Sequence, residues 1–205
     1  MVFVCTSLMI LFAILWVITF LTKLAGGNNI LANTFVPKGE KATKEEIVKV
    51  FLYALLFRIG IYIVGVVISM IFSEETGFTF SDFLSSWNRW DSQHYIDLAS
   101  KGYADCVENG QHLFLVFFPL CPWLLKIIHF IIRDWQLAFI MLSTIAYCVG
   151  AVFFYICISE EYGKKTAQKA LTLVSVWPFA FFFGGMMTES LFFATPVSYT
   201  HLTLP

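Results

Sequence analysis

Five long apolar stretches alternate with shorter polar segments along the 205 residues. A helix needs about 20 mostly apolar residues to cross a bilayer, and each stretch is of that order. Because the runs are continuous and do not alternate with period two, they favour helices over barrel strands. We therefore predict an all-α chain that forms a polytopic transmembrane helical bundle. The predicted spans are 2–21, 48–72, 113–132, 136–158 and 167–187.

The first run, 2–21, has no Lys or Arg before it, unlike the charged start of a cleavable signal peptide. It is also longer than the apolar core of such peptides, so we favour a retained membrane anchor. The small residues Ala25, Gly26 and Gly27 resemble a cleavage site and keep the signal-peptide alternative open.

Loop charges predict the orientation of the bundle. The segment 22–47 contains four lysines, which favours the cytoplasmic side. The segment 73–112 contains seven acidic residues against Arg89 and Lys101, and we predict that it lies outside.

Simple alternation conflicts with these charges further along the chain. It would place the segment 160–166 outside, although this segment carries Lys164 and Lys165. The conflict disappears if 113–124, which contains Pro119 and Pro122, lines a cavity and does not cross the membrane. The sequence alone leaves both arrangements open.

The composition excludes a soluble globular domain for most of the chain, since 59% of residues are apolar and only 13% are charged. A net charge of −1 provides no basic surface for nucleic acid. The five cysteines lie mostly in apolar runs without a C-x-x-C pair, so neither a zinc site nor a disulfide framework is expected. The expected partners are membrane lipids and membrane-borne substrates.

Aromatic and polar residues recur at three- and four-residue steps in the outer segment, which predicts an amphipathic helix along the membrane surface. These residues are Phe80, Phe83, Leu84, Trp87, Trp90, Asp91, His94, Tyr95 and Leu98. Asp91, with His94 and Tyr95 one turn later, is suited to accept a proton from a substrate hydroxyl. The alternative is an interfacial aromatic belt without chemistry.

Three ordered motifs occur over residues 80–194. They are W-D-S-Q-H-Y at 90–95 with G-Y at 102–103, F-F-P-L-C-P at 117–122 and, after Pro178 and Phe182, T-E-S-L-F at 188–192. Their order and spacing resemble the W-D-x-x-H-Y, F-F-P-L-x-P and [ST]-E-S-L-F motifs of the GPI mannosyltransferase 2 family, also called PIG-V, and of its bacterial relatives. Met187 stands where that family usually has Tyr.

This resemblance implies a GT-C-like fold and an integral membrane mannosyltransferase. Such an enzyme takes mannose from a polyprenyl- or dolichyl-phosphate carrier and transfers it with inversion to a lipid-linked or envelope glycan, as in GPI-anchor biosynthesis. By analogy Asp91 acts as general base on the acceptor hydroxyl. We expect neither a metal nor a cofactor, because the donor is itself an activated sugar. A bacterial plasma membrane is favoured, or the endoplasmic reticulum membrane in a eukaryote.

The leaving phosphate needs cations or hydrogen-bond donors, and Arg89, His94 and Arg58 are candidates. Arg58 lies ten residues into an apolar run, where phosphate binding and pairing within the bundle are equal alternatives. His94 either orients Asp91 or binds phosphate, or is a plain interfacial residue. Glu189 either faces the substrate cavity or lies at the membrane edge. Trp90 either stacks on the substrate or anchors the interface.

Residues 196–205 lose the apolar pattern abruptly and resemble translated adapter sequence at a broken reading frame. We therefore expect 1–195 to be the N-terminal part of one transmembrane domain that continues beyond Ala194, and this fragment to be inactive alone. A genuine short tail is the alternative.

Two other functional classes stay open. A transporter subunit also has intramembrane charge and proline-broken helices, but it predicts inverted repeats, and the sequence contains none that we detect. A non-catalytic membrane scaffold would tolerate the loss of Asp91, whereas an enzyme would not. An accessory membrane subunit is a further expected partner.

Overall fold

The computed structural model describes residues 39–72, 79–107, 113–177 and 179–203. Every regular element in these ranges is helical, so the all-α prediction is confirmed for this part of the chain. The first predicted span, 2–21, lies outside the described residues.

Seven α-helices and two short 3₁₀ helices are described. In chain order the α-helices are α1 (Lys44–Phe72), α2 (Phe80–Trp87), α3 (Ser92–Lys101), α4 (Leu120–Ile132), α5 (Trp135–Tyr162), α6 (Lys164–Val176) and α7 (Glu189–Thr203). The 3₁₀ helices are Leu113–Val116 and Ala180–Phe183.

Within the described residues, α1 and α5 are the helices that are long and apolar enough to cross a membrane. At 1.5 Å per residue they extend for about 42–44 Å, which exceeds the hydrocarbon thickness of about 30 Å. Only 11% of the apolar window of α1 is buried in the protein, against 56% for α5. A long apolar helix that other elements leave uncovered would be poorly solvated by water, which indicates a membrane protein.

The other helices pack on α5 in two clusters of buried side chains. The first surrounds its N-terminal half and combines Leu84, Ile96, Ala99, Cys121, Leu125, Ala138, Phe139, Ile140, Leu142 and Met186. The second surrounds its C-terminal half and combines Val50, Ala54, Tyr147, Cys148, Ala151, Tyr155, Ala167 and Leu171. We call these the outer cluster and the inner cluster, and the corresponding ends of the bundle the outer end and the inner end.

The helices α5 and α7 pack closely because Gly150 has no side chain. A Cβ at this position would lie 2.7 Å from Cδ1 of Phe193 and 3.1 Å from Cα of Ala194. Small residues let helix backbones approach each other in this way, which is common between membrane helices. About two turns earlier on α5, the start of α7 lies against its outer half, where Ser143 Oγ donates to the Met187 carbonyl at 3.4 Å.

The helices α1 and α5 are antiparallel, because the end of α5 lies beside the start of α1. The Glu40 N–H donates to the Ser159 carbonyl at 2.8 Å. The Lys164 ammonium lies 2.9 Å from the Glu46 carboxylate. The lysine-bearing segments 39–46 and 160–166 therefore share the inner end of the bundle, as their charges favour.

Consequently α4 does not connect the two ends of the bundle. Its 13 residues extend for about 20 Å and pack on α3 and on the N-terminal half of α5. The helix ends at Arg133, whose left-handed backbone (φ 64°) reverses the chain, and Asp134 then caps α5 by accepting from the Leu137 N–H at 2.8 Å. In place of the predicted span 113–132, the chain enters and leaves at the outer end. This arrangement removes the charge conflict at 160–166.

The predicted span 167–187 is also not one helix. The helix α6 ends at Val176, and Trp177 has an extended backbone (φ −57°, ψ 139°), as steric crowding by a following proline favours. The 3₁₀ helix Ala180–Phe183 and two glycines then lead to α7. The count of about five spans thus stays a prediction, with two candidate spans among the described residues.

Candidate active site

The outer segment forms two helices where one amphipathic helix was predicted, and Asp91 lies in the turn between them. The first, α2, begins with a capping box in which Thr79 and Asp82 satisfy each other's backbone N–H groups. It ends at Asn88, whose N–H donates to the Ser85 carbonyl at 3.2 Å. The chain then turns at 88–91 and starts α3 at Ser92.

This turn is held by a buried serine. Ser92 Oγ donates to the Arg89 carbonyl at 2.6 Å and accepts from the Arg89 N–H at 3.2 Å. Between them Trp90 adopts a left-handed backbone with φ 51°, which costs an aromatic residue about 1–3 kcal/mol. The Trp90 ring packs on Phe182 of the second 3₁₀ helix, with ring centroids 5.4 Å apart.

The Asp91 carboxylate is exposed and is not used to cap α3. Asp91 has a helical backbone (φ −78°, ψ −2°), whereas Asp134, which does cap its helix, has the extended backbone that capping requires. The backbone of the turn therefore keeps this carboxylate from its local N–H donors. It is available to accept a proton from a bound molecule.

The third motif meets the first motif at this point. Glu189 is the first residue of α7, and partial burial together with the nearby Asp91 charge raises the pKa of the Glu189 carboxyl. Burial also raises the pKa of the Tyr95 phenol, while hydrogen bonding to Thr188 opposes that rise. Tyr95 and Thr188 were parts of the predicted motifs but not predicted site residues. The position of Tyr95 one turn after Asp91 was the available signal.

A cavity of about 360 Å³ lies beside these groups and is lined by all three motifs. Its lining residues are Tyr95, Phe118, Leu120, Cys121, Thr188, Leu191, Phe192 and Thr195. Most of these side chains are apolar, with the hydroxyl-bearing Tyr95, Thr188 and Thr195 as exceptions. The cavity can therefore surround an apolar or ring-shaped group while its hydroxyls offer hydrogen bonds.

The second motif is held against the first by aromatic packing and one hydrogen bond. The Tyr103 hydroxyl donates to the Phe117 carbonyl at 2.7 Å. His94 is half-buried, and its ring lies 5.0 Å from that of Phe114 and 5.7 Å from that of Phe117. These contacts match the interfacial alternative for His94 more closely than a role in orienting Asp91.

On the other side of the Asp91 turn lies a groove of about 330 Å³ between α1 and the segment 86–90. Arg89 and Trp90 line this groove together with Phe181 and Phe182. The Arg89 Nε donates to the Ser86 carbonyl at 3.2 Å, and the residue is exposed. Two of the predicted site residues thus face a second cavity next to Asp91.

Arg58 is fully buried in the middle of α1. Its Nη1 donates to the Ala180 carbonyl at 2.7 Å, and its guanidinium carbon lies 3.8 Å from the centroid of the Tyr147 ring. Within the described residues its Nε and Nη2 have no hydrogen-bond partner. One turn later, the Tyr62 hydroxyl donates to the Gly184 carbonyl at 2.9 Å. Arg58 and Tyr62 therefore hold the second 3₁₀ helix, which is the bundle-pairing alternative for Arg58.

Among the described residues, no three His, Cys, Asp or Glu side chains are grouped as a metal ion would require. The expectation that no metal takes part stays a prediction. Asp91 and Glu189 are the acidic residues that the structure brings together at the motifs.

No protein-family model, curated protein or solved structure matches this chain. The resemblance to the PIG-V family therefore stays a prediction. Any functional assignment rests on the residues themselves and on their arrangement at the outer end.

Proposed function

We propose that this chain is the N-terminal part of an integral membrane glycosyltransferase. In this proposal the enzyme transfers mannose from a polyprenyl- or dolichyl-phosphate carrier to a lipid-linked or envelope glycan acceptor. The single observation that carries the proposal is the Asp91 carboxylate at the outer end, which does not cap α3 and lies beside a cavity lined by three separate motifs. The motifs also carry the sequence resemblance to PIG-V.

The reaction follows from one free carboxylate. Asp91 takes the proton of the acceptor hydroxyl while that oxygen forms a bond to C1 of mannose. The bond between C1 and the lipid phosphate oxygen breaks on the opposite face of the ring, so the configuration at C1 inverts. The phosphate is a good leaving group and departs as an anion without a strong acid. No metal or organic cofactor enters this scheme.

The neighbouring residues have distinct proposed roles. Glu189 binds substrate hydroxyls, since it begins α7 close enough to Asp91 for the Asp91 charge to help raise its pKa. Trp90 stacks on the sugar or on the lipid chain, and Arg89 binds the phosphate. Arg58 acts through the second 3₁₀ helix and is a positioning residue. His94 closes the aromatic wall around Phe117.

The proposed setting is the external face of a bacterial plasma membrane, or the lumenal face of the endoplasmic reticulum in a eukaryote. Membrane lipids, the lipid-linked donor and the glycan acceptor are the proposed partners, together with an accessory membrane subunit. The inner end bears Lys164 and Lys165 and would face the cytoplasm.

The deciding experiment compares wild type with Asp91→Asn in isolated membranes. Both proteins are expressed from a gene whose reading frame extends beyond Ala194. Radiolabelled polyprenyl-phosphate-mannose is the donor, and transfer to membrane glycans is measured. Loss of a general base lowers such rates by about 10²–10⁴-fold. We expect a loss of this size without a change in thermal stability.

The matched control is Asp97→Asn, which changes a carboxylate on α3, six residues after Asp91. Asp97 accepts from Gln93 and pairs with Lys101 at 3.3 Å, so its carboxylate already has partners within the protein. We expect Asp97→Asn to retain transfer. Undiminished transfer by Asp91→Asn would remove the general-base role. Absence of transfer by wild type would favour the transporter or scaffold alternatives.

A further inference from the structure

A cavity of about 350 Å³ lies at the inner end of the bundle, opposite to the candidate active site. We call it the inner cavity. It forms between α1 and α6, which both begin at this end. The two helices are joined at their starts by Lys164 and Glu46, 2.9 Å apart, and deeper in the bundle by Arg58 Nη1, which donates to the Ala180 carbonyl at 2.7 Å. Between these two contacts the helices leave a space of the size that small molecules or lipid headgroups occupy.

The floor of the inner cavity carries a phenol that the protein itself does not use. Tyr155 of α5 is 1% exposed and lines the cavity together with the buried Val50 and Leu171. Its hydroxyl has no hydrogen-bond partner among the described residues, whereas that of Tyr147, on the same helix, is bonded to Ser175 at 2.8 Å. The hydroxyl is not sealed in the interior, as the unpaired guanidinium nitrogens of α1 are, so it opens on the cavity. Buried hydroxyl groups are normally satisfied, and this one points to a ligand atom that accepts from it.

The rim of the inner cavity is polar on both helices. Lys49 and Tyr53 of α1 lie opposite Gln168 and Thr172 of α6. Within the part of the chain that the structure describes, the Tyr53 hydroxyl and the Gln168 amide also lack hydrogen-bond partners. A groove of about 330 Å³ on another face of α1, at the same level, is lined by apolar side chains alone. Lipid tails suit that groove, whereas the inner cavity requires a ligand with hydrogen-bonding groups.

The level of the inner cavity matches the headgroup region of the membrane. When centred, α1 exceeds the hydrocarbon thickness by about 7 Å at each end, so its first four or so residues lie among the headgroups. One turn outward from the polar rim, Leu56 is 66% exposed and Val176 is 52% exposed. A ligand with a polar head and hydrocarbon chains fits this order, with its head in the cavity and its chains along these two residues.

The charges at the rim favour a headgroup that bears both signs. The Glu46 carboxylate is held by the Thr43 N–H at 2.7 Å and by Lys164. Lys49 is paired with Glu45 at 2.7 Å and therefore adds no excess positive charge. An anionic headgroup would bring its charge to Glu46 without compensation. A primary ammonium can donate to this carboxylate, which a trimethylated ammonium cannot do.

We propose that the inner cavity binds the headgroup of a phosphatidylethanolamine molecule from the inner leaflet. The lipid phosphate accepts from the Tyr155 hydroxyl and the Gln168 amide, and the ammonium lies against Glu46. The bound headgroup fills the space between α1 and α6. This site is separate from the candidate active site and does not depend on sugar transfer.

The test is lipid binding by the whole chain in detergent micelles, followed by native mass spectrometry. Phosphatidylethanolamine, phosphatidylcholine and phosphatidylglycerol with the same acyl chains are titrated one at a time. We expect the first to bind about 10-fold more tightly than the other two. It alone offers ammonium N–H donors to Glu46 without adding net charge.

Two Tyr→Phe variants on α5 provide a matched comparison. Tyr155→Phe should weaken phosphatidylethanolamine binding by about 3–10-fold, the usual effect of one hydrogen bond. Its melting temperature without lipid should not fall, because the hydroxyl has no partner among the described residues. Tyr147→Phe loses the bond to Ser175, so it should melt at a lower temperature and still bind the lipid as wild type does.

Two rim variants test the assigned chemistry. Gln168→Leu changes an exposed residue and should weaken binding about as much as Tyr155→Phe. Glu46→Gln should remove the preference for phosphatidylethanolamine over phosphatidylglycerol, because the repelling carboxylate is gone. Melting temperatures of both variants report folding.

The outcomes are independent of the result for Asp91→Asn. Equal binding of the three lipids by wild type would overturn the site, as would binding that Tyr155→Phe and Gln168→Leu leave unchanged. Tighter binding of phosphatidylglycerol would overturn the choice of a headgroup with both charges. Displacement of the lipid by equimolar soluble glycerophosphoethanolamine would overturn a lipid as the occupant and assign the cavity to a soluble ligand.

Discussion

Particular charged residues at the two ends of the bundle differ in what they contact. At the inner end Lys164 lies 2.9 Å from Glu46 and 3.8 Å from Glu40, so these charges tie α6 to the start of α1. At the outer end the Asp91 carboxylate does not cap α3, and Arg89 has no carboxylate partner among the described residues. Charges that hold helices together are paired, whereas charges kept for a ligand stay open. The difference favours the outer end for the proposed function.

The largest expected effect comes from two leucines that occupy equivalent places in the two clusters. Leu125 is fully buried in the outer cluster and Leu171 is nearly so in the inner cluster. Each Leu→Ala change should lower the free energy of unfolding by about 2–5 kcal/mol, because it leaves a cavity. Denaturant titration in detergent micelles measures this loss.

The same two variants also test whether the outer cluster supports the candidate site. Leu125→Ala should also reduce sugar transfer at temperatures where the protein is folded, since Leu125 supports the cluster beneath α3. Leu171→Ala should leave the transfer rate per folded molecule unchanged. Equal losses of transfer in both variants would mean that the outer cluster has no special link to the site.

Glu189→Gln should raise the stability of the folded protein, by less than the leucine variants lower it. Because the folded protein raises the pKa of this carboxyl, the folded state binds more protons than the unfolded state between the ordinary and the raised pKa. Wild type therefore loses stability as the pH rises through that window. The Gln variant lacks this loss and should melt slightly higher at neutral pH.

Thermal melting at a series of pH values between 4 and 8 checks this expectation, with that range chosen to bracket ordinary carboxyl titration at about 4.3. The advantage of Glu189→Gln should shrink toward the acidic end. Transfer should fall in the same variant, because the carboxyl is proposed to bind substrate hydroxyls. A variant that melts lower than wild type at neutral pH would contradict the raised pKa of Glu189.

The smallest effect is expected at the inner end. Lys164→Met removes both ion pairs to the start of α1. We expect a slight decrease in melting temperature that is smaller at high salt, because ion pairs that solvent still reaches are weak and screened. Sugar transfer should not change. A transfer defect in this variant would contradict the proposal that the inner end has a structural role and the outer end carries the site.

The apolar pattern predicted the two long helices well. The expected spans 48–72 and 136–158 correspond to α1 at Lys44–Phe72 and α5 at Trp135–Tyr162. An uninterrupted apolar run is sufficient evidence for such helices, since their length alone satisfies the bilayer. The helices extend beyond the predicted spans because mostly polar residues continue the turns, at 44–47 before the first run and at 159–162 after the second.

The shorter elements depend on packing that the sequence does not display. Residues 120–132 have the composition of a span, and only contacts with α3 and α5 show that the chain returns to the same end. The turn at 88–91 contains no glycine or proline, and a buried Ser92 holds it. Asp91 was predicted from its motif, but its freedom from capping follows from a backbone angle that no motif encodes.

The reversal at Arg133 determines at which end of the bundle the following helix begins. If 113–132 were counted as a span, each later segment, including Lys164 and Glu189, would be assigned to the opposite compartment. Because the chain turns back at Arg133, the described segments 79–107 and 113–134 lie at the same end of two antiparallel helices, α1 and α5. A tag inserted between Arg133 and Asp134 would then emerge in the same compartment as Asp91, and one at Gly163 in the opposite compartment.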